Sequence, residues 1–225
     1  MSGGNEGRSE GVSTRTPKLR LEPQGMEDVR VYKLLTGVVV PRPIGFISTV
    51  SVLGVPNAAP FSFFNALSHR PPIVCFSAAL RDGCDKDTVT NIRATGEFVV
   101  NVVTETIAGA MNQCAENYPP DVSEFEVTGL TPVPAQLVRA PLVAESPVNM
   151  ECRLISLTPL PESPYTLVLG RVVLFHVAAE ILGENGRVDF TRLQAVGRMA
   201  GNKYTSTREI FTMEYDSFVQ VRRAR

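Results

Sequence analysis

The run YTLVLGRVVLFHVA, residues 165–178, restricts the fold more than any other stretch. Leu, Val and Phe dominate it, as in a strand packed on both faces. Its length exceeds an ordinary strand, and Gly170 sits in its middle. A glycine inside a long strand marks a bulge, a bend or the close approach of another group, so the sheet containing it curls. The rest of the chain agrees. IGFISTVSV (44–52) ends at the turn signal Leu53-Gly54, and 57–64 follows as its hairpin partner. IVCFSAA (73–79), EFVVNVV (97–103) and 148–158 read as further strands, with a short one expected at 187–190.

Only two helices are expected. One spans 88–95 and stops at Gly96, a C′ glycine, with Asp87 or Thr88 as its cap. The other spans 105–117, where Ile107, Ala108, Met111, Cys114 and Ala115 share a face and Thr104 is the candidate cap. Many strands and few helices predict a mainly β protein, a barrel or a sandwich. The proline-rich segment 118–147 is expected to run over the surface. Residues 1–17, rich in Gly, Ser, Glu and Thr, are expected to be disordered, leaving 18–225 as one folded domain.

Composition excludes several classes of function. With 225 residues and a net charge of −1, the chain has ample core and no global field favouring nucleic acid or an anionic membrane. The terminal RRAR is too short to be a binding arm. No stretch is long and apolar enough for a membrane span, and no secretory signal is visible. The four cysteines form no C-x-x-C pair and only two histidines exist, so no metal site is expected. Cys75, Cys114 and Cys152 read as buried thiols, which suits a reducing, cytoplasmic setting. There is no G-x-S-x-G and no G-x-G-x-x-G. His69 reads as a surface residue and His176 as a structural one.

Two stretches carry possible chemistry. In KDTVTNI (86–92), Lys86 precedes a helix start, where unpaired N–H groups and partial positive charge suit a phosphate. The alternative is an ordinary capped helix beside a solvated lysine. In 44–65, Ser48, Thr49, Ser51, Asn57, Ser62 and Asn65 are small polar residues in apolar strands. They suit either the wet face of an antiparallel sheet or a planar, nitrogen-rich ligand lying against it. Gly197, Arg198, Gly201, Lys203 and Tyr204 form a glycine-rich cationic patch, either a solvated loop or an arm that meets an anion or ring.

Taken in order, these motifs resemble the flavin reductase-like family. They are RPIGFISTVS (42–51), N-x-AP-F-S-F-F-N (57–65), PP-x-V-x-FS (71–77), KDT-x-x-NI-x-x-TGEFVVN (86–101), ESPVNMECRL (145–154) and VGRMAGNKY (196–204). The resemblance spans roughly residues 26–205. It implies an FMN-binding split barrel: six strands in Greek-key order with a few short helices, as a homodimer with flavin near the subunit interface. It further implies that Ser48, Thr49 and Val50 run along the isoalloxazine edge. Asn57, Ala59 and Ser62 would bond around the ring and ribityl chain, with Phe63 and Phe64 packing nearby. Ser77, Lys86 and Thr88 would hold the phosphate, and Arg198 and Tyr204 would approach from the partner subunit. The activity implied is NAD(P)H-dependent flavin reduction. The alternatives are an FMN electron carrier served by a redox partner protein, and a barrel whose pocket has become an interaction surface.

Overall fold

A computed structural model describes residues 16–213. The expectation of disorder at 1–17 and the RRAR tail therefore fall almost wholly outside the described residues. Helix α1 (Asp28–Val38) comes first, followed by strands β1 (Gly45–Val50), β2 (Pro56–Phe61), β3 (Phe64–His69) and β4 (Pro72–Ala79). Helix α2 (Asp87–Thr95) leads into β5 (Glu97–Val102), then α3 (Ala108–Gln113) and α4 (Glu124–Thr128). The short pair β6 (Pro132–Val133) and β7 (Leu142–Val143) precedes the long strands β8 (Val148–Pro159) and β9 (Tyr165–Val177). A 3₁₀ turn, helix α5 (Phe190–Leu193) and the hairpin β10 (Val196–Arg198) and β11 (Tyr204–Ser206) complete the order.

Seven strands form one antiparallel sheet in the order β2-β1-β5-β8-β9-β4-β3. Its two edge strands, β2 and β3, are consecutive in the chain, with only Ser62 and Phe63 between them. A flat sheet cannot bring its edges that close, so this one rolls into a barrel split at Ser62. Both prolines of β2, Pro56 and Pro60, are tolerated because an edge strand need not donate at every position. The six strands expected become seven because the run 57–64 breaks at this corner and resumes as β3.

Inside the roll, Phe61 meets Phe76 with ring centroids 4.6 Å apart, and Phe76 meets Phe98 edge-on at 5.8 Å. Ile47, Val74, Val100, Cys152 and Val168 fill the remaining space. Gly170 has a specific cause: a Cβ there would overlap the Phe98 ring, which reaches over β8 from β5. The register slips twice: between Leu154 and Ser156, opposite Gly170, the extra residue lies on β8, and between Glu151 and Cys152 it lies on β9, at Val173. A second core lies outside the barrel wall, where Phe46, Ala58 and Val103 pack on Ile107, Met111 and Phe125.

Several expectations are corrected. Helix α1 was not foreseen. The helix expected over 105–117 is confined to Ala108–Gln113, with Ile107 rather than Thr104 at its N-cap. Residues 187–190 contribute only the isolated bridge Val188↔Leu182 before turning helical at Phe190. Segment 118–147 is no surface excursion, since Val138, Ala140 and Leu142 pack on Val99 as a third core. Glu151, fully buried, pins it by accepting from the main-chain N–H of Gln136 at 2.8 Å and of Leu137 at 2.6 Å. His176 completes that clasp with Nε2 at 2.6 Å from Glu151, a structural position as expected.

Candidate functional site

A groove follows the outer edge of β2 and the Ser62 corner. Its first chamber, about 60 Å³, is lined by Asn57, Ala59, Pro60, Arg81, Lys86, Thr88 and Glu124 among others. Pro60 and Ala115 also line the second chamber, about 210 Å³, with Tyr32, Thr36, Arg42, Ser62, Met111, Arg198 and Tyr204. Arg42 and Ser62 in turn line a third, about 460 Å³, beside Leu35, Phe63, Phe64 and Cys75. The three chambers therefore share walls and run as one surface from α2 to α1.

The first chamber sets two cations, Arg81 and Lys86, beside three carboxylates, Asp87, Glu116 and Glu124. Lys86 is the N-cap of α2 in extended conformation, and no side chain caps the first turn. The cap expected from Asp87 or Thr88 is absent because Thr88 turns its hydroxyl to Asn57 Oδ1, at 3.0 Å. The Lys86 ammonium lies 5.7 Å from the Phe61 ring centroid, and no described ion pair includes it. Burial, reinforced by the like charge of Arg81, lowers its pKa from the usual lysine range. An arriving anion relieves both penalties.

Beneath this chamber lies a closed polar network. Asn57 Nδ2 donates to both oxygens of Glu124, at 2.8 and 3.0 Å. Asn57 Oδ1 accepts from Thr88 and, at 3.3 Å, from Thr49. Asn91 donates to Thr49 Oγ1 at 3.0 Å, and the Ala58 N–H donates to Glu124 at 3.0 Å. An asparagine side chain has two donors and two acceptor lone pairs, so that of Asn57 is fully used. Burial pushes the Glu124 carboxyl above the ordinary range; the Ala58 and Asn57 donors oppose this, and the charge of Asp87 adds to it. Cys114, at the chamber wall, is pushed up to about 11 by burial, so its thiol stays protonated and is no nucleophile.

The residues predicted from sequence thus separate. Asn57, Ala59, Lys86 and Thr88 meet in the first chamber. Ser62, Arg198 and Tyr204 meet in the second, and Phe63 lines the third, stacked on Tyr165 at 5.8 Å. Arg198 and Tyr204 reach the groove within a single chain: Arg198 lies over the Tyr204 ring and bonds its hydroxyl, which in turn donates to Asn112 at 2.8 Å. Ser48 faces away, donating to the Pro141 carbonyl and accepting from Asn101 at 3.0 Å. Thr49 belongs to the closed network beneath the first chamber, while Val50 and Ser77 are half-buried and line none of the three chambers. Ser77 instead donates its N–H to the Phe63 carbonyl at 3.0 Å, fixing the Ser62 corner.

Among the groove residues outside the sequence reading of the site are Arg42, Arg81 and Glu124. Arg42 stands inside the RPIG motif. Arg81 enters through the turn Arg81–Cys84, and Glu124 arrives from a segment distant in the chain. Their signals are tertiary. Among the described residues no cluster of His, Cys, Asp or Glu could hold a metal, and no helix is long and apolar enough to cross a membrane.

Comparison with known proteins gives a consistent result. Residues 38–193 match the family described as flavin reductase like domain. An uncharacterised protein of Halalkalibacterium halodurans is 39% identical over 91% of this chain and 100% of its own. Nitrilotriacetate monooxygenase component B from Bacillus cereus superposes with a TM-score of 0.85 at 37% identity, covering 88% of this chain and 100% of that one. The 2-nitrobenzoate 2-nitroreductase NbaA of Pseudomonas fluorescens superposes at 0.81 with 29% identity, covering 89% and 98%.

Proposed function

Because this chain belongs to the flavin reductase-like family, we propose that it binds FMN along the β2 groove and reduces it, or an acceptor that the flavin can reach, with NAD(P)H. The single observation that carries this is the first chamber: an uncapped α2 terminus beside a half-buried lysine with no carboxylate partner. That chamber fits a phosphate monoester, and it opens into a longer space bordered by aromatic and cationic side chains. Bound flavin would supply the two-electron chemistry. Lys86, the α2 N–H groups and Arg81 would fix its charged end. Thr88, held by Asn57, shapes that end, while Ala59 and Pro60 allow close approach along β2. Ser62 retains a hydroxyl proton to give.

No general base is needed in this reading, which agrees with a groove whose one buried carboxylate, Glu124, is occupied by Asn57 and Ala58. The chain is read as a homodimer, because α1 and its exit expose Val29, Leu35, Val38 and Val39 beside the third chamber. A second copy is the occupant favoured here, and sedimentation of the purified protein checks it. One alternative keeps support: the likeness to a protein described as component B of a monooxygenase favours an electron carrier working with a separate protein.

Anaerobic mixing of the FMN-loaded protein with NADH and NADPH tests the reading. Rapid bleaching of the flavin band by either donor is expected. Bleaching only by a reduced partner protein would select the carrier. A protein that stays colourless after FMN supplementation and dialysis removes the proposal altogether.

A further inference from the structure

Arg42 is a guanidinium withdrawn from water with no anion to answer it. It is 5% exposed. Nη1 donates to the carbonyls of Thr36 and Val39, both at 2.7 Å, and Nη2 to that of Met199 at 3.0 Å. Nε reaches Ser62 Oγ at 3.5 Å. Every one of these partners is neutral, and no ion pair among the described residues includes Arg42 or Arg198. Both guanidinium groups border the second chamber, whose lining contains no Asp or Glu. Buried charge without a counter-charge is costly. The carbonyls at the α1 C-terminus offset part of that cost. The remainder is a standing positive potential in the chamber.

We infer that Arg42, with Arg198 paired beside it through the main chain, binds the reduced flavin ring more tightly than the oxidised ring and so raises the potential of the bound cofactor. The inference rests on the flavin reading above. The oxidised ring is neutral. A reduced nicotinamide gives it two electrons and one proton and leaves as the oxidised nicotinamide, so the ring then carries one negative charge. A fixed cation interacts strongly with that form and weakly with the neutral one. The groove's continuity places the ring of a phosphate-anchored ligand here, since the first chamber opens into the second at Pro60 and Ala115. A diffusing anionic substrate would meet the more exposed Arg198 first, whereas Arg42 is buried.

The test measures dissociation constants for oxidised and for reduced FMN, anaerobically, in the wild-type protein and in Arg42→Met and Arg42→Lys. Loss of the charge is expected to cut the preference for reduced FMN about tenfold, a fall of about 30 mV for a two-electron couple. Arg42→Lys keeps the charge but not the fork to three carbonyls, so both affinities fall while most of the preference survives. Equal weakening of both forms by Arg42→Met, with the ratio at its wild-type value, makes Arg42 a structural clasp and overturns the inference. So does an unchanged ratio with weaker nicotinamide binding. If Arg42→Met does not fold, Arg198→Met is read the same way, with about a threefold change expected and an unchanged ratio again decisive against. Failure of the wild-type protein to bind FMN is seen before any variant is made, and it overturns the flavin reading instead.

Discussion

The floor of the β2 groove and its walls are built from similar residues that end in opposite states. On the floor, Asn57, Thr49, Thr88, Asn91 and Glu124 bond to one another, and the Asn57 side chain has nothing left to offer. Along the walls, Lys86 makes no ion pair among the described residues, Arg42 and Arg198 bond only neutral oxygens, and Ser62 has only a long contact to Arg42. A closed network gives rigidity and a unique geometry. An open set of donors gives affinity for something not yet there. The difference teaches that residue type alone does not mark a ligand; unspent hydrogen-bonding capacity does.

The comparison breaks most easily at its centre. Asn57→Ala removes the side-chain donor to both oxygens of Glu124, leaving it main-chain N–H groups alone, and removes the acceptor for Thr88. Stranding buried polar groups in this way is expected to cost about 3 kcal/mol of folding stability. Urea unfolding of the flavin-free protein measures it, and a loss under about 1 kcal/mol would mean that the floor is not closed.

Two buried glutamates sharpen the same contrast through pH. Glu151 is pushed up by burial, but the Gln136 N–H, His176 and the Leu137 N–H outweigh this and hold it below its ordinary value near 4.5. Its contribution to stability is present above that value and lost as pH falls through the lowered one. Glu124, raised by burial, has the opposite sign: the fold favours its protonated form, and that contribution fades as pH rises through the raised value. Glu151→Gln sets an amide N–H₂ against a main-chain N–H and is expected to cost about 2 kcal/mol at neutral pH. The variant should also lose less stability than the wild type between pH 5 and 3. A parallel acid-side slope in both proteins would place the titration elsewhere.

On the wall, Lys86→Ala is expected to weaken FMN by about 1–3 kcal/mol, since it removes a charge-assisted bond to phosphate. Riboflavin, which has no phosphate, should lose far less. Equal losses for the two ligands would show that Lys86 acts on the shape of the groove and not on its charge.

The pattern of success in the sequence reading follows the range of the interactions. The β1–β2 hairpin was legible because alternation and the Leu53-Gly54 turn are local, and its register runs from Gly45↔Phe61 to Val50↔Pro56 as such a hairpin requires. The end of α2 was legible because Gly96 takes a left-handed conformation, φ 71°, that favours glycine. Gly170 announced the curl, although the ring that demands it, Phe98, is supplied by another strand. Illegible were α1, whose apolar residues Val29, Leu35 and Val38 are exposed in this chain and give no core stripe to read, and the break at Ser62 between two strands of similar composition. Glu124 lies 67 residues beyond Asn57, and nothing local to either announces their pairing. Sequence therefore located the groove along β2 and α2, but could not tell floor from wall.

Ser62 is where that distinction is finest, and where the smallest effect is expected. It sits at the split of the barrel, lines two chambers, and accepts only a 3.5 Å contact from Arg42 Nε. Its hydroxyl proton has no acceptor among the described residues, so the wall reading makes it a donor toward the ligand, while the floor reading makes it a brace for Arg42. Ser62→Ala separates the two. If Ser62 belongs to the wall, stability changes by less than about 0.5 kcal/mol, because a contact that long is weak, and FMN affinity falls by about 1 kcal/mol. If it braces the floor, the order reverses: stability falls and affinity per folded molecule stays the same. Titrating FMN into the variant and unfolding it in urea reads both quantities on one preparation, and the reversed order would move Ser62 from the ligand to the scaffold.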